Sequence, residues 1–385
     1  MIIKRIRLKN WRNFRDVDVR LERRVFIVGP NASGKSNFLD VFRFLRDIAR
    51  DGGGLQKAIK DRRGLSKMRC LAARRDPDIA LLVEILDGET LWTYSLGLKQ
   101  QSSGKRSVEI TREDVVKNGK TLLRRPDKED KQDDRRLTET HLEQINSNQA
   151  FRKLSDFFAK ALYLHLVPQL LRHPIAFTGQ DLEGDPFGKS FLERIAGVHK
   201  RTRDARLRQI ERVLKSAVPF IEELTFVRDE SSGQPHLEAK YKHWRKHGAR
   251  QREDQFSDGT LRLIGLLWSL LEGDSLLLLE EPELSLHSAV VETLPGLMHR
   301  VMQERRWKKQ RQVIISTHSW DLLKDPAIDG REILLLQPNV EGTKLVVASD
   351  IVEIRTLLES GLSVADAVIP HSKPGSDSAL LDIPE

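Results

Sequence analysis

The eight residues GPNASGKS at positions 29–36 constrain this chain more than any other stretch. They follow RRVFIV, an apolar, β-branched run of the kind that fills a central strand. They precede a segment in which Phe38, Leu39, Phe42, Leu45, Ile48 and Ala49 recur at helical spacing. A buried strand, a loop of the form G-x-x-x-x-G-K-[ST] and a helix together make a backbone cradle for phosphate oxygens. In that setting Lys35 reaches the β- and γ-phosphates of ATP and Ser36 offers a hydroxyl to Mg²⁺. Pro30, Asn31, Ala32, Ser33, Gly34 and Asn37 complete the nucleotide contact.

Two further strands end in chemistry. SLLLLEEP (275–282) is a buried strand closing on two carboxylates. One acid suits the metal shell and the other a base for an attacking water, so Glu280 is assigned to Mg²⁺ and Glu281 to polarising the water. QVIISTHS (312–319) delivers His318 to the C-terminal end of a buried strand, where open α/β sheets place ligands. A lone histidine is usually structural; beside the other two motifs it is placed to contact the γ-phosphate.

A fourth stretch, QFSDGTLRLIGLLWSLL (255–271), poses a question. Its apolar part is a core helix, and such a helix needs one capping residue. Ser257, Asp258, Gly259 and Thr260 supply two side-chain acceptors, a flexible glycine and another hydroxyl. The surplus is either a heavily furnished cap or half of a binding site.

Composition narrows the class. With 39% hydrophobic and 31% charged residues the chain reads as a soluble globular protein. At 385 residues it is long enough for two domains, or for one large domain with an insertion. The single Cys70 excludes a disulfide framework and a cysteine-based zinc site, so a reducing, cytoplasmic location is expected. Lys4, Arg5 and Arg7 interrupt the N-terminal apolar residues, which argues against a secretory leader. No apolar run is long enough to span a bilayer, so no membrane is expected as a partner. The net charge of +9 is uneven: 240–252 holds six Lys/Arg and no acid, 188–216 nine against three, and 300–311 six against one. Runs of this kind suit a polyanion such as DNA, or are simply solvated helix faces.

Along the chain, IIKRIRLKNWRNF alternates as an edge-like strand, RDVDVRL follows as a second, and the pair around Asp87-Gly88 reads as a hairpin. The blocks expected are 1–110, the first half of an α/β head; 111–218, a mostly helical insertion with one long basic helix over 195–218; 219–370, the second half; and a loosely ordered tail, 371–385.

Taken together, the loop at 29–36, FSDGT, LLLLEEPELSLH and STHS resemble the ABC-type ATPase heads of SMC-like and RecF-like proteins. The opening IKRIRLKNWRNFRDVDVRL fits that group better than transporter subunits. The resemblance covers 1–98 and 219–370, and is nearest to stand-alone bacterial SMC-like AAA ATPases related to the ATPase part of OLD-family nucleases. It implies an α/β fold with a mainly parallel core sheet, an antiparallel β lobe and a helical insertion. It also implies ATP hydrolysis and a homodimer, or a higher homo-oligomer, closed around ATP. In that family the segment matched by FSDGT caps the γ-phosphate bound to a second subunit, which gives Ser257 a hydroxyl role and Gly259 a backbone N–H role. A separately encoded effector, a nuclease or toxin, is implied as partner, in anti-phage defence or DNA repair. Two residues depart from the pattern: Asp258 stands where a small residue is commoner, and Glu280 replaces an aspartate. A transporter's nucleotide-binding subunit and a non-hydrolysing ATP-bound scaffold are the competing classes.

Overall fold

A computed structural model describes residues 1–73, 76–101, 107–173, 184–242, 249–303 and 311–372. The chain forms two compact units, Met1–Ala161 with Ser316–Trp320 and Ile328–Glu385, and Leu162–Ile315 with Asp321–Ala327.

The first unit opens with β1 (Ile2–Trp11), β2 (Phe14–Arg20), β3 (Arg24–Val28), β4 (Ile79–Asp87), β5 (Thr90–Gln100), β6 (Val108–Lys117) and β7 (Lys120–Arg125). Six of them form an antiparallel lobe in the order β2-β1-β4-β5-β6-β7. β1 reads as an edge strand in sequence but lies inside the sheet. Its cations meet acids on neighbouring strands, Arg5 with Asp18 at 2.7 Å and Glu84 at 3.5 Å, and Arg7 with Asp18 at 3.2 Å. Alternating apolar and basic residues look alike on an edge strand and on an inner strand with one wet face. The β4–β5 hairpin turns at Gly88, whose φ of 62° favours glycine.

Residues 111–125 are not helical. The expected block boundary at 110 falls inside β6, and β7 follows it. The charges that disguise these strands are core partners: Arg125 and Glu113 are both fully buried and 2.9 Å apart, and Arg125 also holds Asp130 at 2.8 Å. Buried charges persist only when paired in this way.

The second unit carries β8 (Leu162–Leu164), β9 (Ile221–Arg228), β10 (Pro235–Tyr241), β11 (Ala249–Arg252) and β12 (Leu277–Glu280). β9, β10 and β11 form a small antiparallel sheet, while β12 runs parallel to β8 with Leu278 opposite Tyr163. The expected single helix over 195–218 is two, Phe191–Ala196 and Lys200–Ala217, because His199 is extended at ψ 134°. The second stops before Pro219, as a helix must near a proline.

β13 (Val313–Thr317) is wholly buried. β14 (Ile333–Asn339) then runs parallel to β3 in the first unit, and β15 (Gly342–Val347) pairs antiparallel with β14. The protein therefore has a mixed α/β fold, with mainly parallel core strands, an antiparallel lobe and helical segments. Among the described residues no helix is long and apolar enough to cross a membrane.

The basic runs change character in three dimensions. Across the small sheet Lys240 meets Glu222 at 3.1 Å, Arg250 meets Glu238 at 2.5 Å, and Arg252 meets Asp229 at 3.3 Å. Arg245 and Lys246 lie outside the described residues, as do 304–310 and the tail from 373. Arg311 is not a surface cation at all. It is buried, and its guanidinium donates to the carbonyls of Ser269, Glu272 and Ser275, where the helix Asp258–Leu271 ends. A cation there satisfies orphan carbonyls and opposes the negative end of the helix.

Candidate functional site

In the first unit, β3 is buried along its whole length and leads into Gly29. A side chain at Gly29 would meet Ser33 Oγ at 2.8 Å and Leu336 Cβ at 2.9 Å, so the loop closes only on glycine. Ala32 (φ 62°) and Gly34 (φ 104°) are left-handed and curl the loop beneath the helix Lys35–Ala49. Among the described residues no side chain caps that helix and no acid occupies its first turn, so no side-chain charge there opposes an anion at the positive end of the dipole. Lys35 is buried, with Nζ donating to Gly29 O at 2.9 Å and Pro30 O at 3.2 Å. Pro30 and Asn37 are partly exposed, and Asn31, Ala32 and Ser36 are exposed.

Sequence reasoning missed what holds this loop from behind. Asn13 Nδ2 donates to Ser33 O at 2.6 Å and to Thr343 Oγ1 at 2.7 Å, Thr343 Oγ1 donates to Ser33 O at 2.8 Å, and Asn37 Nδ2 donates to Asn13 Oδ1 at 2.9 Å. Asn37, expected at the nucleotide, thus has its side chain on the strap. A Cβ at Gly34 would collide with the Asn13 amide at 2.1 Å, so the second glycine of the motif is also fixed by this contact. His318, in the same unit, is exposed just beyond β13, and the next residue is anchored by Ser319 N donating to Thr317 Oγ1 at 3.0 Å.

In the second unit, the buried leucines of β12 carry Glu280 to the strand end, where Tyr163 of β8 donates its hydroxyl to Glu280 Oε2. Tyr163 gave no signal in the sequence; it is a core-type residue that only the parallel register brings alongside. The chain then reverses sharply: Glu281 (φ 45°) and Ser285 (φ 63°) are both left-handed, which is a strained conformation for these residue types and one concentrated at functional sites. The turn packs on FSDGT, since a Cβ at Gly259 would meet Ser285 O at 2.8 Å.

FSDGT itself opens the helix Asp258–Leu271. Ser257 is its cap, accepting from Thr260 N at 3.2 Å and sharing a hydrogen bond with Thr260 Oγ1 at 2.8 Å. Asp258 is held by Arg172 at 2.5 Å and by Gln169 at 3.0 Å. One turn on, Arg262 is 5% exposed, and its Nε and one terminal nitrogen have no hydrogen-bond partner among the described residues. Burial lowers its pKa against the opposing charges of Glu283, Asp258 and Glu281.

A family model described as "AAA domain, putative AbiEii toxin, Type IV TA system" matches residues 24–324. The chain belongs to that AAA family. Among curated proteins no match is found. Solved structures give the fold. An SMC head bound to the C-terminal winged-helix domain of ScpA aligns over 90% of this chain and 98% of its own, at 16% identity and a TM-score of 0.55. The SMC head domain from Thermotoga maritima aligns over 90% and 99% at 15% identity, with a TM-score of 0.50. The Pyrococcus furiosus Smc head with an extended coiled coil, bound to the C-terminal domain of ScpA, aligns over 93% and 99% at 12% identity, with a TM-score of 0.51. This AAA-family member therefore has the fold of an SMC head.

Proposed function

We propose that the protein binds and hydrolyses Mg·ATP, dimerises around it, and through that cycle controls a separately encoded nuclease or toxin. One observation carries the reading most: the helix Lys35–Ala49 presents an uncapped, acid-free N-terminus behind a loop shaped by Gly29 and Gly34, in a chain of this AAA family. Lys35 leaves the carbonyls of Gly29 and Pro30 to pair with the β- and γ-phosphates. The exposed Ser36 hydroxyl and the Glu280 carboxylate are each a hard oxygen donor of the kind Mg²⁺ takes, and each is assigned to holding it. When bound, Mg²⁺ would neutralise charge on the β- and γ-phosphates. Glu281 accepts the proton of a water that attacks the γ-phosphate, releasing ADP and phosphate, and His318 contacts the γ-phosphate. Ser257 and the N–H of Gly259 receive the γ-phosphate held by a second copy.

The test is phosphate release by the parent, Lys35→Ala and Glu281→Gln. ATP turnover that survives Lys35→Ala would overturn the reading.

Duplex DNA is the proposed trigger or substrate of the partnership. On the helix Lys200–Ala217, the exposed Arg201, Arg208 and Arg212 share a face, whereas Arg203 lies 3.9 Å over Phe226 and Arg206 5.3 Å over Trp268. Reversing the three exposed charges should flatten the salt dependence of DNA affinity, by about 0.9 in log–log slope for every phosphate that these arginines neutralise. An unchanged slope would leave the stripe a solvated surface. The purified protein alone is expected to hydrolyse ATP without cutting DNA; metal-dependent cleavage abolished by mutating this chain would show the opposite.

A further inference from the structure

We propose that Arg172 is a positioning residue for FSDGT: with Gln169 it neutralises Asp258 and fixes Ser257 for the γ-phosphate of a second subunit. This rests on the trans reading of FSDGT given above. An acid in the first turn of a helix is favourable for the helix itself, because it meets the positive end of the dipole. At a helix end that receives a triphosphate the same charge repels the ligand, so Asp258 stands against the proposed role unless it is countered.

The geometry supplies that counter. One terminal nitrogen of Arg172 donates both to Phe256 O at 2.7 Å and to Asp258 Oδ1 at 2.5 Å, gripping the residues on either side of Ser257. Gln169 Nε2 takes the other oxygen, Oδ2, at 3.0 Å, so both carboxylate oxygens are occupied. Arg172 and Gln169 stand on the short helix Pro168–Arg172, and that helix is itself seated on the one it serves. A side chain at Gly265 would meet Leu166 at 2.9 Å and Leu171 at 3.3 Å, so this glycine admits both leucines against the helix Asp258–Leu271. Leu171 is 1% exposed. The support is built, and the pair at its tip spans 86 residues of sequence.

The decisive experiment is a double-mutant cycle in the Glu281→Gln background, with light scattering titrated by Mg·ATP and a fluorescent ATP analogue reporting binding to the chain's own P-loop. Arg172→Ala and Arg172→Gln should each raise the Mg·ATP needed for assembly by about tenfold to a hundredfold, the range for losing a charged hydrogen bond, while analogue binding is unchanged. Arg172→Lys should recover only part, because the lysine ammonium has a shorter reach than the terminal nitrogen of a guanidinium and lacks its fixed planar geometry. Asp258→Asn added to Arg172→Gln should restore assembly, since no charge is then left to neutralise. Assembly of both Arg172 variants at the parent's Mg·ATP concentration would overturn the proposal. So would a deficit that Asp258→Asn fails to restore, which would assign Arg172 a direct phosphate contact or a purely structural role. If the Glu281→Gln parent itself does not assemble with ATP, the trans reading fails first and the positioning role falls with it.

Discussion

The loop at 29–36 and the FSDGT segment both deliver a chain to the start of a helix, and they are held in opposite ways. Behind the first stand neutral amides and hydroxyls: Asn13, Asn37 and Thr343. Around the second stand ions: Arg172 on Asp258, and Arg311 closing the far end of the same helix. The first helix end is free of acids, so neutral groups hold its loop without adding charge near the anion site. The second begins with an acid, and charge has to be met with charge. The contrast bears on the question posed by FSDGT. Every extra polar group there has a partner or a packing duty within the chain: Thr260 with Ser257, Arg172 with Asp258, and Gly259 against Ser285. The surplus groups are therefore accounted for within one chain, and the proposed second subunit rests on the ATP-dependent assembly tested below.

The largest expected effect lies at Glu281. Glu281→Gln keeps the shape but removes the charge, and turnover should fall by about 10²–10⁴-fold. If the trans reading holds, the same variant accumulates as an ATP-bound dimer, or an assembly of dimers, by light scattering. Adding Ser257→Arg should return it to the ATP-free assembly state while ATP binding survives. An assembly state indifferent to both ATP and Ser257→Arg would leave FSDGT as a helix cap.

Next in size is the ionic end of the second helix. Arg311→Ala strips donors from three carbonyls in a buried site, and should lower unfolding stability by about 3 kcal/mol in urea titrations. Burial lowers the pKa of Arg311 to about 10, so the cation is held there against desolvation by what it binds. A decrease below about 1 kcal/mol, the scale of one ordinary hydrogen bond, would make the contact incidental. The neutral strap should matter less. Asn13→Ala should cost about 1–2 kcal/mol, and that cost should be insensitive to salt. It should also weaken ATP binding, because Ser33 O and Gly34 no longer have their backing. A salt-sensitive cost would break the contrast drawn between the two segments.

What the sequence disclosed follows the distance over which each feature acts. The phosphate loop was legible because its residues are consecutive and its flanking strand and helix carry strong periodicity. Its strap was not, since Asn13 and Thr343 reach Ser33 from 20 and 310 residues away. The run 240–252 read as an unopposed basic patch because its acids lie elsewhere in the chain: Glu222 and Glu238 on strand positions that only the register of β9, β10 and β11 brings alongside, and Asp229 in the loop just after β9. β6 and β7 were hidden by charges that pair inside the core. Asp258 was recognised as an anomaly, but its answer, Arg172, could not be found from spacing.

The smallest expected effect concerns a carboxylate that, unlike Asp258, is held by backbone donors rather than by a cation. Glu143 accepts from Leu55 N, at the start of the helix Leu55–Asp61, and from Thr140 N at 3.0 Å. Those N–H groups favour the charged form, but burial outweighs them, helped by the nearby charges of Glu139 and Glu113, and pushes the pKa up to about 7. A folded-state pKa above the unfolded value means that the folded chain binds more protons between roughly pH 4.5 and 7, so this group's contribution to stability falls as pH rises through that window. Glu143→Gln keeps an acceptor for one N–H and abolishes the titration. The variant should therefore gain on the parent by about 1–2 kcal/mol as pH rises from 5 to 8 in urea unfolding, less than the full shift because part of the titration falls below pH 5 and solvent screens a partly buried carboxylate. Parallel stability curves across that range would mean that Glu143 ionises as an ordinary carboxylate, and that two backbone N–H groups hold its charge as well as Arg172 holds that of Asp258.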